Sequence, residues 1–204
     1  LVIIYLISIQ HNTNLLLICI GCCVLGYLYQ GPPFRLGYLG LGEPLCFIAF
    51  GPLTHAASLI ATNSNDVYYL IPWKESILLG TGPSLAITLV LFCSHFHQIK
   101  EDKKFGKLSP IVKIGTKKGA ILVSWIIFAI YIFEFYTIII GFIPPLCLFY
   151  FISFPYALKL IRILKKSHNK PKIIKNCKFI AIKFHTLNGA GLIIGLFTNY
   201  FLNL

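Results

Sequence analysis

The sequence predicts an all-α fold, a polytopic bundle of transmembrane helices, and three observations carry that reading. Of the 204 residues, 57% are hydrophobic and 12% charged, whereas soluble domains carry about 25% charged residues; a water-soluble fold of this size has too little interior for that much apolar surface. Apolar segments recur at lengths suited to a bilayer, where backbone polar groups must be paired internally and helices follow. The Lys and Arg residues fall almost entirely in alternate loops, the asymmetry that orients membrane proteins.

The segments run in order as Leu1–Ile9, Leu15–Tyr29, Pro44–Ala61, Ile77–Phe96, Ala120–Phe135, Ile138–Ile161 and Phe184–Leu202. The first is about half the ~20 residues that a span requires. It lacks the basic start and small-residue cleavage site of a signal peptide, so it reads as the remainder of a helix. The other six are full spans. Pro52 and the pair Pro144-Pro145 fall inside spans, where proline kinks a helix and either shapes a cavity or is simply packed.

The loops then alternate sides. Gln30–Glu43, Gln98–Gly119 and Arg162–Lys183, with the helix ends beside them, hold every one of the 18 bases except Lys74. They belong on the cytoplasmic or stromal side, where diphosphates are found. The net charge of +12 therefore reflects membrane topology, and the chain lacks a polar domain with which to bind nucleic acid. The last basic stretch, with Pro171 and apolar residues between its lysines, reads as an amphipathic segment on anionic lipid or as a solvated loop. Of the seven cysteines, Cys19 and Cys22 have a redox or metal spacing. They sit in an apolar run with no second pair and no nearby His, so they read as small hydrophobes, and an odd count argues against a disulfide framework. Abundant Ile, Lys, Phe and Asn suggest an AT-rich coding genome such as a plastid's.

The chemistry concentrates where an apolar segment ends, in Cys93–Thr116, "CSHFHQIKEDKKFGKLSPIVKIGT". If Cys93 to Phe105 continues the fourth full-length segment as a helix, Ser94, Gln98, Glu101 and Asp102 share a face, with His95 beside them and His97 four residues before Glu101. Carboxylate and amide oxygens suit Mg²⁺ or Ca²⁺, and Mg²⁺ takes one or two carboxylates plus substrate phosphates. Lysines interleaved with the acids fit a metal–diphosphate site better than a bare cation site; a solvated helix end with ordinary charge pairing fits them also. Zinc fits poorly, since two His at i and i+2 point apart. A second stretch, "YQGPPFRLGYLGLGEP" from Tyr29 to Pro44, is rich in Gly and Pro and carries Arg35, whose paired donors suit a phosphate. Tyr29 and Tyr38 add hydroxyls at the water boundary.

"YQGPPFRLGYLGLGEPLCFIAFGPL" followed by "HFHQIKEDKKFGKLSPIVKIGT" resembles the MenA branch of the UbiA prenyltransferase superfamily, in its cyanobacterial and plastid form, over Tyr27 to Gly119. The resemblance implies a nine-helix membrane bundle with two acidic motifs that bind Mg²⁺ and, through it, an isoprenyl diphosphate. It implies that residues 1–204 form one membrane-embedded domain without the family's first two helices and first acidic motif, and that an Asn- or Asp-rich motif is encoded upstream. Gln98 stands where the wider superfamily has the first Asp of its second motif. Asp102, then Glu101, are the expected metal ligands, with Gln98 a third candidate that departs from the acidic pattern and also contacts substrate. Tyr29 and Arg35 belong to the loop that closes over substrate, and Lys104 and Lys107 lie beside the diphosphate. The implied reaction transfers a phytyl or polyprenyl group to a naphthoate or naphthoquinone ring with loss of CO₂, in phylloquinone or menaquinone synthesis, within a thylakoid, inner-envelope or cyanobacterial-type membrane.

A transporter or non-catalytic membrane scaffold is the competing class. Transporters carry midplane polar groups and internal repeats; His55 is the single midplane candidate and no repeat is visible. His55 reads as a hydrogen-bonded core residue or a functional one. Glu134 reads as a boundary residue, Asp66 and Glu75 as solvated loop acids, and His185 and Asn188 as weak candidates to face the site.

Overall fold

The computed structural model describes residues 5, 12–62 and 70–202. All of its regular structure is helical, and among the described residues six helical stretches are long and apolar enough to cross a membrane: Thr13–Gln30, Gly42–Thr62, Trp73–Ser94, Pro110–Ile139, Pro145–Ser167 and Pro171–Leu202. The six full spans read from hydropathy are all present. The Leu1–Ile9 segment, apart from the exposed, helical Tyr5, and Asp66 lie outside the described residues.

The first span is a single helix, α1 (Thr13–Gln30), opened by the Asn12 side chain, which accepts from the Asn14 and Leu15 amides. The second is interrupted where Pro52 removes an amide donor. Helix α2 (Gly42–Ile48) passes through a π-turn at Ala49–Leu53 into α3 (Thr54–Thr62). The Thr54 amide is shared between the Ala49 and Gly51 carbonyls, and side chains add a second bond to each. Thr54 Oγ1 donates to the Ala49 carbonyl at 2.6 Å, and His55 Nδ1 lies 2.9 Å from the Gly51 carbonyl. This is how a proline is accommodated in a spanning helix.

Helix α4 (Trp73–Ser94) is the central column and α5 (Ile99–Lys104) a short helix beyond it. Glu75 is half-exposed in the first turn of α4, where a negative charge suits the helix dipole. Helix α6 (Pro110–Ile139) bends at Gly115, whose φ of 79° interrupts an otherwise regular ladder. The proline pair does not kink a span, as hydropathy suggested. Pro144 and Pro145 instead begin one, after a turn at 140–143, because a missing amide costs nothing at a helix start. A 3₁₀ segment, Pro145–Ser153, leads into α7 (Phe154–Ser167). After the one-turn α8 (Pro171–Ile174) comes α9 (Cys177–Leu202). The last two spans thus continue well into the stretch read as a basic loop. Helix α7 is strongly amphipathic, with Leu160 and Leu164 buried and Lys165 and Lys166 in its last turn.

One core joins α4, α6, α7 and α9 through Leu89, Phe92, Val123, Ile127, Leu160 and Phe184; a smaller one joins α1 to α3 through Leu15, Ile18, Ala56 and Ile60. Between helices in lipid, close packing replaces the hydrophobic effect as the cohesive term. Gly191 and Gly195, one turn apart on α9, show this: a Cβ on Gly191 would overlap the Phe149 backbone, and one on Gly195 the Cys147 backbone. Tyr131 completes the core end of α6, sharing a 2.7 Å hydrogen bond with Ser153 and stacking on Phe151.

Candidate functional site

The α4 helix does not run on through Cys93–Phe105. It stops at Ser94, turns over residues 95–98, and restarts as α5 with Gln98 at its cap. The turn is closed by the Gln98 amide to the His95 carbonyl at 3.2 Å. The shared helical face of Ser94, Gln98, Glu101 and Asp102 is therefore corrected. Ser94 Oγ turns back to the Leu91 carbonyl and borders an apolar cavity, while Gln98, Glu101 and Asp102 line a polar one.

That polar cavity, about 420 Å³, is lined by Tyr38, His97, Gln98, Glu101, Asp102, Phe105 and Lys107. Lys107 reaches it through a glycine turn that closes α5. The Lys107 amide bonds the Asp102 carbonyl at 2.7 Å and the Gly106 amide bonds the Lys103 carbonyl at 3.2 Å. Gly106 sits at φ 67°, so the pattern is the left-handed Schellman closure that glycine permits. It reverses the chain and returns the Lys107 ammonium to within 3.9 Å of Asp102 Oδ1.

Asp102 is only 6% exposed, and its other oxygen is held from behind. His95 Nδ1 lies 3.3 Å from Asp102 Oδ2, and His95 Nε2 lies 3.2 Å from Glu43 Oε1. The imidazole thus joins the first turn of α2 to the first turn of α5 and orients Asp102. The contact with Asp102 is a hydrogen bond, whereas the Glu43 carboxylate is approached without one. Sequence reasoning passed over Glu43. Its signal was available: with only six carboxylates in the chain, an acid opening an apolar segment beside the Gly-rich stretch calls for a partner.

The Gly-rich stretch docks onto this end of the bundle. The Leu108 amide bonds the Tyr38 carbonyl at 2.7 Å and Lys113 Nζ bonds the Leu39 carbonyl at 2.6 Å. Gly40, at φ 79°, lies so close to the Leu108 carbonyl that a side chain has no room. The arginine-bearing loop and the acidic pair therefore share one end of the molecule. Arg35 is exposed, with its guanidinium 5.9 Å from the Tyr38 ring, and does not line the cavity. Lys104 is likewise outside, exposed over the Phe105 ring. Tyr29 borders the neighbouring apolar cavity.

That second cavity, about 640 Å³, lies among α1, the α2–π segment and α4, lined by Leu25, Leu45, Phe50 and Leu91 with Ser94 and Lys178 at its polar margin. The two cavities lie near one another in the chain, since Ser94 borders the apolar one and His97, three residues on, lines the polar one. His97 lines the polar cavity, and its imidazole is pushed below the ordinary histidine value by burial and then by the charge of Lys178, which lines the apolar one. His95 and His97 diverge across the turn, His95 contacting Glu43 and Asp102 while His97 lines the polar cavity.

Among the described residues no three His, Cys, Asp or Glu side chains converge as a complete metal cage. The donors that do face the cavity are hard oxygens from Asp102, Glu101 and Gln98, the set that suits a magnesium-like ion sharing its shell with phosphate and water. The cysteines are unpaired among the described residues, and Cys177 Sγ donates to the Cys93 carbonyl at 3.1 Å.

Glu134 is not a boundary residue. It is buried in α6, and Asn188 Nδ2 of α9 donates to its Oε2 at 2.9 Å. Hydropathy located the residue correctly near a span's end but had no means of showing that three neighbouring helices enclose it. Asn188 is fully buried in that pairing and does not line the polar cavity at Asp102.

With the geometry in view, comparison with known proteins is informative. Residues 1–185 match the model of the UbiA prenyltransferase family. The chain is 41% identical over 165 residues to a 2-carboxy-1,4-naphthoquinone phytyltransferase of Synechocystis sp., an alignment covering 81% of this chain and 52% of that protein. It is 37% identical over 191 residues to the chloroplastic 2-carboxy-1,4-naphthoquinone phytyltransferase of Arabidopsis thaliana, covering 91% and 49% respectively. A 1,4-dihydroxy-2-naphthoate octaprenyltransferase of Bacillus subtilis is 27% identical over 178 residues, covering 87% and 55%. The chain spans about half the length of the curated relatives it matches. No solved structure matches. The match across residues 1–185, together with a six-span helical bundle carrying acids and lysines at one end, means that this chain belongs to the UbiA prenyltransferase family.

Proposed function

We propose that the protein takes part in transfer of a prenyl group from its diphosphate to a naphthoate ring with loss of CO₂, in phylloquinone or menaquinone synthesis. The observation that carries this reading is the pairing of cavities. A pocket bordered by carboxylates, an amide and Lys107 is lined from His97, three residues beyond Ser94, which borders an apolar pocket large enough for part of an isoprenoid chain. The relatives' names supply the acceptor, 1,4-dihydroxy-2-naphthoate or 2-carboxy-1,4-naphthoquinone.

Asp102, Glu101 and Gln98 are the residues that would hold Mg²⁺. The ion's contribution is positive charge that neutralises the departing diphosphate. Lys107 adds a second cation to the same pocket, placed to stabilise charge that grows as the allylic C–O bond breaks. His95 is a positioning residue, keeping Asp102 turned toward the cavity from the Glu43 side. Tyr29 borders the apolar pocket, where an aromatic face stabilises a cation-like allylic carbon. Arg35 and Lys104 act from the loop and rim, drawing the anionic donor toward the mouth. The ring carbon bearing the carboxylate donates an electron pair to the allylic carbon. The carboxylate then leaves as CO₂ and its bonding pair restores the aromatic ring. Burial of the chain in the bilayer and the basic loops around this end support a stromal or cytoplasmic site, and the chloroplastic relative supports a plastid membrane.

The test is Mg²⁺-dependent consumption of phytyl diphosphate, with 1,4-dihydroxy-2-naphthoate as acceptor, by membranes carrying the protein. Asp102→Ala should abolish turnover while the protein remains inserted; turnover unchanged would reject the assignment.

A further inference from the structure

A third cavity, about 360 Å³, lies in the opposite half of the bundle, between α3, α4, α6 and α9, and includes Gly82, Glu134, Thr137 and His55 in its lining. At 1.5 Å per residue, Gly82 lies roughly 18 Å down α4 from Ser94, so this cavity is separate from the acidic pocket at Asp102. Its wall is otherwise apolar, with Leu79, Phe133 and Leu192 among the lining residues.

Three polar features converge on it. Glu134 is 3% exposed; its Oε2 accepts from Asn188, while its Oε1 is buried without a hydrogen-bond partner. Among the described residues no Lys or Arg borders the cavity. Gly82 lets this carboxyl lie against α4, since a Cβ there would stand 2.7 Å from Glu134 Cγ. His55 Nδ1 is bonded to the Gly51 carbonyl at 2.9 Å. A carbonyl only accepts, so Nδ1 carries a proton and is committed to that bond. Thr137 Oγ1 is committed to the Glu134 carbonyl at 2.7 Å and so is not free to donate to the carboxyl. A buried oxygen left unpaired costs about 1–3 kcal/mol, and a titratable group within a membrane span marks a functional site by default.

We propose that this cavity binds a small neutral apolar molecule bearing a hydroxyl, an alcohol or phenol, whose O–H pairs with Glu134 Oε1. A hydroxyl both donates and accepts, so its one proton pairs with an ionised Glu134 Oε1 and its lone pairs accept from a protonated one. A hydrated cation is disfavoured, because a single carboxyl in an apolar wall replaces few of its waters. The inference rests on this cavity alone and stands whether or not the acidic pocket handles diphosphate.

The probes are thymol and p-cymene, which differ only by the hydroxyl. Equilibrium binding of each radiolabelled compound is measured to the protein in nanodiscs, above partitioning into empty nanodiscs. Thymol should show one saturable site per chain, and p-cymene at least ten-fold weaker binding. Glu134→Leu should bring thymol to the p-cymene level. Gly189, which borders the cavity with open space where a side chain would go, provides an independent variant: Gly189→Leu should remove saturable binding while leaving the melting temperature unchanged. The proposal is overturned if wild-type protein shows no saturable thymol site, if the two probes bind alike, if the thymol preference survives Glu134→Leu, or if Gly189→Leu, folded, still binds.

Discussion

The link from Glu43 through His95 to Asp102 makes a quantitative demand. Replacing His95 with Ala removes a ring that lies 3.2 and 3.3 Å from two acids, one of them 6% exposed. A hydrogen bond to a charged group contributes about 1.5–3 kcal/mol when buried. Asp102 retains the more distant Lys107 at 3.9 Å, so the lower end of that range applies to its bond with His95, while the Glu43 contact is an ion-pair approach without a hydrogen bond. The loss is then about 1.5 kcal/mol, equivalent to roughly 3–6 °C in melting temperature for a protein of this size. The direct assay is a double-mutant cycle of His95→Ala, Asp102→Ala and the pair, followed by the fluorescence of Trp73 and Trp125 during thermal melting in nanodiscs. Residues in contact should couple by about 1.5 kcal/mol or more. Additive effects within about 0.5 kcal/mol would refute the bridging role and leave His95 an ordinary core residue. A second readout separates positioning from packing: His95→Gln, which keeps a donor, should recover diphosphate binding better than His95→Ala.

Other expectations follow from the same geometry. Gly106→Val should cost about 1–2 kcal/mol, because φ is 67° there, and should lower diphosphate affinity by moving Lys107; unchanged affinity in an isothermal titration would detach the turn from the site. Gly191→Leu should prevent α9 from seating on the Phe149 backbone and abolish a cooperative melt, whereas Gly21→Leu, on an open part of α1 with nothing within 4 Å of a new Cβ, should not. His97 takes up a proton less readily in the folded protein than in the unfolded chain. The unfolded state therefore gains the proton first as pH falls, and stability declines from the ordinary histidine value of about 6.5 down to the depressed folded value, then levels off. His97→Gln should flatten that part of a melting-temperature profile.

What the sequence by itself determined was everything that depends on neighbours along the chain. Spans follow from apolar length, and the Asp102 region from acids and a glycine adjacent to them. The signal fails where the deciding interaction is not local. The break at His95 leaves the hydropathy profile unmarked, because His, Phe and Gln fit a helix as readily as a turn. Pro144-Pro145 indicated a disruption but not whether it fell within a span or before one. Glu43 meets His95 across 52 positions, and Glu134 meets Asn188 across 54, distances over which no period carries information. Only the tertiary structure decided which of the candidate residues face a common cavity. Helix packing selects one side of each helix for the interior, and the docking of the Gly-rich loop sets Tyr38 on the cavity that Asp102 lines while leaving Arg35 and Lys104 outside. Burial works the same way: a carboxyl's surroundings, and so the binding it can support, depend on the helices packed around it and not on the residues beside it in the chain.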